Sequence, residues 1–163
     1  MINDQEFLYG AAFLRLINYG KSITVTHASW VHTSVYLIEA DSIKSAILFK
    51  ISKKPKSAWS FTLSSQEESA LDTLNSKYPS VSVFIALICH KDGICCIAKQ
   101  RLWSVLDTDT SIAGQHISVS RQTHGSYHIS GPGRQRMDQT VPQSDFPRVI
   151  LSNKDNSYES NSY

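Results

Sequence analysis

The pattern of apolar and polar positions divides the chain into two helices and a series of strands. Phe7, Leu8, Ala11, Leu14 and Ile17 recur at three- and four-residue intervals, the period of one helix face. Asn3 or Asp4 is placed to cap this helix, and Gly20 to end it just past Tyr19. Residues 22–28, 34–40, 46–52 and 58–63 are rich in β-branched and aromatic side chains and read as strands separated by polar, Lys or Pro breaks. Ser64 followed by Glu67 forms a capping box, after which Leu71, Leu74 and Tyr78 share a helix face and Pro79 forbids continuation. The run Val-Ser-Val-Phe-Ile-Ala-Leu-Ile-Cys over 81–89 fits a central strand covered on both faces. Asp92-Gly93 supplies a hairpin turn into a strand over 94–98.

Further along, 100–106 predicts a short helical piece, and 116–121 with 126–130 predicts a hairpin turning at Gly125. Beyond the Gly131-Pro132-Gly133 turn, 146–151 (Phe-Pro-Arg-Val-Ile-Leu) reads as a last edge strand. The Ser-, Asn- and Tyr-rich stretch 152–163 reads as a disordered tail. The expected architecture is one α+β domain over 1–151. Its central mixed sheet is flanked by two helices and extended by a C-terminal β-hairpin.

Composition narrows the class. A chain of 163 residues with 41% apolar side chains can bury a core unaided. No stretch approaches the roughly 18 consecutive apolar residues of a membrane span. Met1-Ile2-Asn3-Asp4-Gln5-Glu6 lacks the basic-then-apolar order of a secretory leader, and three cysteines leave a closed disulfide framework one short. These features predict a cytoplasmic protein without membrane contact. The net charge of +2 is too small to announce a polyanionic partner.

The order helix, antiparallel strands, helix, central strand, strand resembles the core of the restriction-endonuclease-like (PD-(D/E)xK) nucleases. Ala46-Ile47-Leu48-Phe49-Lys50-Ile51 is similar to that family's motif-bearing strand, where an acid, one residue and a lysine stand in succession. The capped helix with its early Gln66, and the apolar strand over 83–89, are similar to the Holliday-junction resolvase branch; the likeness covers about residues 4–98. Membership implies a divalent metal held by carboxylates on adjacent strands, which generates the attacking hydroxide. Here Lys50 stands in the lysine place, but Leu48 occupies the acid position and offers a metal no donor. Pairing 35–40 with 46–52 about a turn near Ile43 would set Leu48 opposite Ile38 and Lys50 opposite Tyr36, with Glu39 facing away; a one-residue slip would bring Glu39 back. Asp41 falls in the turn, and Glu6 is placed as a remnant helix acid.

The expectation is a nuclease-like scaffold without catalysis: an immunity- or antitoxin-type or regulatory protein that binds a protein partner, such as a toxin, through Trp30, Trp59 or Trp103. No cofactor and no metal ligand set is expected. One alternative is a Mg-dependent nuclease with a migrated carboxylate, using Glu6, Glu39 or Asp41 with Lys50. Another is nucleic-acid binding without cleavage through Lys50, Lys53, Lys54, Lys56, Arg134 and Arg136, with Trp59 or Tyr127 stacking on bases. The lysines between Ser42 and Gln66 have no acid among them, and they equally suit a solvated loop that protects an edge strand.

Cys89, His90, Cys95 and Cys96 flank the Asp92-Gly93 turn but lack the repeated short spacing of a zinc site, and read as buried thiols. A Cys89–Cys96 link is the alternative, from an expected register that sets those two residues opposite one another. His116, His124 and His128 fall on one hairpin among serines, with no acid placed to orient a catalytic imidazole.

Overall fold

The computed structural model describes residues 1–133 and 135–152. Helix α1 (Asp4–Asn18) starts at Asn3, whose side chain accepts the Glu6 amide. Strands β1 (Thr24–His27), β2 (Val35–Ala40) and β3 (Ile43–Ser52) follow as an antiparallel meander. After β4 (Trp59–Thr62) comes α2 (Ser65–Lys77), which carries the predicted capping box intact. Strand β5 (Ser82–Cys89) then returns parallel to β3, and β6 (Ile94–Ala98) pairs antiparallel with β5. The resulting five-stranded mixed sheet has the order β1-β2-β3-β5-β6. The α+β class and the central position of β5 agree with the sequence.

The C-terminal third differs from expectation in two ways. After α3 (Lys99–Trp103), the hairpin of β7 (His116–Ser120) and β8 (His128–Ser130) is not an extension of the central sheet. It takes β4 from the first half of the chain and forms a second sheet, β4-β7-β8. Residues 146–151, expected to be an edge strand, lie instead in a kinked helix, α4 (Asp145–Leu151). Pro147 suits the first turn of a helix, and a run this short has no periodicity that separates helix from strand. The expected tail lies outside the described residues apart from Ser152.

Strands β3, β5 and β6 carry the central sheet's buried positions on both faces, whereas edge strand β1 is exposed throughout. Ala46, Leu48, Ile85, Leu87 and Cys95 face α2 and the second sheet, packing with Trp59, Phe61, Leu71, Leu74, Ile117 and Tyr127. Ile47, Phe49, Ala86, Ile88 and Cys96 face α1 and α4. On α1 the buried positions are Leu8, Ala12 and Leu16, whereas Phe7, Leu14 and Ile17 are exposed. The apolar positions of α1 therefore form two faces, not the single one that their spacing predicts.

A polar node ties the two sheets together. Asp92, in the β5–β6 turn, accepts two bonds from Arg121 at the end of β7, Nη2 to Oδ1 at 2.6 Å and Nε to Oδ2 at 2.8 Å. The Tyr127 hydroxyl donates to the same carboxylate at 3.0 Å, and Gln143 Nε2 donates to the Asp92 carbonyl at 3.1 Å. Next to it, Gly93 has a φ of +155°, and a Cβ there would come within 2.6 Å of the Tyr127 hydroxyl. Only glycine fits that approach.

Arg121 holds the Asp92 carboxyl below the ordinary carboxylate range, with burial opposing and the Tyr127 bond assisting. The folded chain thus binds that proton more weakly than the unfolded chain does. The stabilisation is complete above the unfolded value of about 4 and is lost as pH falls through the lower folded value. Arg121→Ala is expected to lower unfolding free energy at neutral pH by about 1.5–3 kcal/mol, the range for bonds to charged groups. Urea melts across pH check this: the gap to wild type narrows below pH of about 4, and a gap that persists there unchanged would show that the carboxylate is not what Arg121 stabilises.

Candidate functional site

The site implied by the motif strand lies where β3 runs past the start of β2. Leu48 pairs with Val35 on β2 and Ile85 on β5, and all three are fully buried. Two residues on, Lys50 lies beside Leu87 of β5 and points toward the start of α2. There its ammonium donates to both oxygens of Glu67, at 2.7 and 2.8 Å. Glu67 is the third residue of α2 and the acid of the capping box. Its Oε1 also accepts the Ser64 amide at 2.8 Å, while its own amide donates to Ser64 Oγ at 3.0 Å. The side chains of Lys50 and Glu67 are only 13% and 9% exposed.

This carboxylate is placed well for electrostatics. It sits in the first helical turn, where the helix dipole favours negative charge, and the buried ammonium lies on it. Three hydrogen bonds, two from Lys50 and one from the Ser64 amide, fill most of the roughly four acceptor positions a carboxylate offers. Tyr9 of α1 lies close by: burial raises its hydroxyl above the ordinary tyrosine value, a bond to Ser34 opposes that, and the Tyr36 and Glu67 charges add to the rise. Glu67 was legible in the sequence as a capping acid. Its second role needed the position of Lys50 in space.

The acids expected near Lys50 are elsewhere. The β2–β3 register is shifted by three residues from expectation, because the turn is Asp41-Ser42, with Asp41 at φ 54°, rather than a turn about Ile43. Glu39 therefore pairs with Lys44. The odd shift puts Glu39 on the same sheet face as Lys50, but six positions back along β3, roughly 20 Å at about 3.3 Å per residue. Asp41 is exposed in the turn beyond it, and Glu6 and Gln66 are exposed in the first turns of their helices. Among the described residues, no three His, Cys, Asp or Glu side chains converge as a metal-binding group.

The other candidates separate in the same way. Lys53, Lys54 and Lys56 are exposed in the loop after β3, where Lys54 Nζ donates to the Ala58 carbonyl at 2.7 Å. Arg136 is exposed and bridges to Ser130 through the backbone, while Arg134 lies outside the described residues. Trp59 and Tyr127, proposed as base-stacking platforms, are buried in the core, so neither can meet a base. Trp103 is half-buried under Lys99, whereas Trp30 is 61% exposed, its Nε1 donating to the Tyr78 hydroxyl at 3.1 Å.

Cys95 pairs with Leu87 and Cys96 with Ala86, so Cys89 and Cys96 lie on opposite faces of the sheet and cannot link. All three thiols are buried, and burial pushes Cys89 and Cys95 far from the thiolate form. His116 bonds Thr62 at one end of β7, His128 pairs with Ser120 at the other, and His124 is exposed in the connecting loop. These imidazoles do not converge.

No known family model matches the chain, and no curated protein matches it. No helix among the described residues is long and apolar enough to cross a membrane.

Removing one member of the Lys50–Glu67 pair leaves the other charged and nearly enclosed. Lys50→Met or Glu67→Gln alone is expected to cost about 3 kcal/mol or more. The two together are expected to cost less than the two separate losses combined, since neither charge is then stranded. Chemical unfolding of the four proteins of this double-mutant cycle checks the coupling; additive losses would mean that the two side chains do not stabilise one another.

Proposed function

We propose that the chain is a non-catalytic binding protein on a restriction-endonuclease-like scaffold, of an immunity-, antitoxin- or regulatory type that engages a protein partner. Support for the scaffold comes from the order α1, β1–β3, α2, β5 and from the parallel β3–β5 pairing across α2. The observation that carries the loss of catalysis is the Lys50–Glu67 pair beside Leu48 and Val35. A hard cation needs several oxygen ligands, and the strand positions that would supply them are buried aliphatics. The carboxylate that meets Lys50 is committed to an ammonium and a helix cap. Trp30 is the most exposed of the tryptophans and the aromatic anchor best suited to a partner surface.

A second reading keeps one observation in its favour. A carboxylate does touch Lys50, so a Mg-dependent nuclease that opens this pair and uses Glu67 is the rival. A third, nucleic-acid binding without cleavage, rests on the exposed Lys53, Lys54 and Lys56 loop. Incubation with plasmid DNA, single-stranded DNA and RNA in Mg²⁺ or Mn²⁺ separates them. The proposal expects no cleavage above buffer background. Cleavage that is abolished by both Lys50→Ala and Glu67→Gln would overturn it in favour of the enzyme. Binding without cleavage, weakening steeply as salt rises, would favour the third reading.

A further inference from the structure

We propose that the outer face of α1 is a homodimer interface, two copies packing antiparallel about a two-fold axis at residue 12. Leu8, Ala12 and Leu16 bury one side of this helix in the core. About 180° around it, at about 100° per residue, Phe7, Gly10, Leu14 and Ile17 form a second apolar stripe. Phe7, Leu14 and Ile17 are 65%, 57% and 60% exposed. The three-four-three spacing is that of a two-helix seam. A surface helix that needs only one buried face has no reason to carry a second at that spacing.

The occupant follows from the symmetry of the stripe. Phe7 and Ile17 lie equally far from residue 12, as do Gly10 and Leu14. An antiparallel copy therefore sets Phe7 against its partner's Ile17, and seats each Leu14 over its partner's Gly10. A Cβ built on Gly10 would meet nothing within 4 Å, so the notch that receives Leu14 is open. Charge agrees. The first turn carries Asp4 and Glu6, Arg15 lies in the last turn, and Lys21 follows the helix. The antiparallel arrangement brings the acidic end of one helix to the basic end of the other and opposes the two helix dipoles. A parallel copy would stack acid on acid and leave Gly10 facing Gly10. An isologous contact of this kind closes at two copies.

Light scattering on the full chain tests the assembly. The expected mass at micromolar concentration and above is twice the 18.2 kDa of the chain. Gly10→Arg blocks the notch without touching the monomer's own packing, improves helix propensity and adds a pair with Glu6 one turn back. That variant is expected to give the monomer mass with an unchanged circular dichroism spectrum and a melting temperature that is unchanged or higher. Oxidising a mixture of Gly10→Cys and Leu14→Cys chains is expected to cross-link the two different chains, the native thiols being buried. A wild type that stays at one chain mass up to millimolar concentration would overturn the proposal. So would a folded Gly10→Arg chain that remains dimeric. Cross-linking of Gly10→Cys chains to themselves would overturn the antiparallel arrangement.

Discussion

A buried ammonium resting on a helix-capping carboxylate decides what the motif strand can do. Lys50 projects from the middle layer of the fold, where an unpaired charge would face a desolvation penalty of several kcal/mol. The nearest oxygen able to relieve it belongs to Glu67, already fixed by the capping box at the start of α2. Strand β3 and helix α2 are thereby joined by one carboxylate, and the helix gains a neutralised N-terminus while the lysine gains a partner. Glu67 Oε1 serves both roles at once, accepting from Lys50 and from the Ser64 amide, while Oε2 accepts from Lys50 alone. Two residues before Lys50 on β3, Leu48 and its cross-strand neighbours Val35 and Ile85 are fully buried aliphatics.

The rest of the architecture follows from a sheet covered on both faces. Helices α1 and α4 seal one face; α2 and the second sheet seal the other. The second sheet needs β4 from the first half of the chain, so the C-terminal hairpin is part of the main core. Asp92 ties the two sheets together, because a single carboxylate receives Arg121 and Tyr127 from beside the strands of the second sheet. The polar contacts thus sit where layers meet, and β5 and β6 between them are almost wholly apolar.

Element identity was readable wherever local chemistry is strong. The capping box of α2, Pro79 after it and the continuous apolar run of β5 each have one physical interpretation, and the structure agrees with all three. Register was not readable. Both hairpins of the central sheet are shifted by three residues, since Asp41 and His90 adopt positive φ and the turns form earlier than Ile43 or the Asp92-Gly93 pair suggested. An odd shift reverses the face on which each partner falls. For that reason the expected register turns Glu39 away from Lys50 and sets Cys89 opposite Cys96, and the observed one does neither. Long-range partners were also out of reach: Lys50 and Glu67 lie 17 residues apart, and Asp92 and Arg121 lie 29 apart. On α1, apolar spacing alone could not separate a core-facing stripe from one that faces outward.

The central claim is that the space around Lys50 is closed to a cation, and a paramagnetic titration reads it directly. With backbone amides assigned by NMR, Mn²⁺ added to millimolar concentration should leave the signals of residues 48–50 and 64–67 as sharp as those of Ile43–Ser45 at the far end of β3, five or more residues before Lys50. Selective, saturable broadening of those signals, reversed by Mg²⁺, would place a metal at Glu67 and contradict the account.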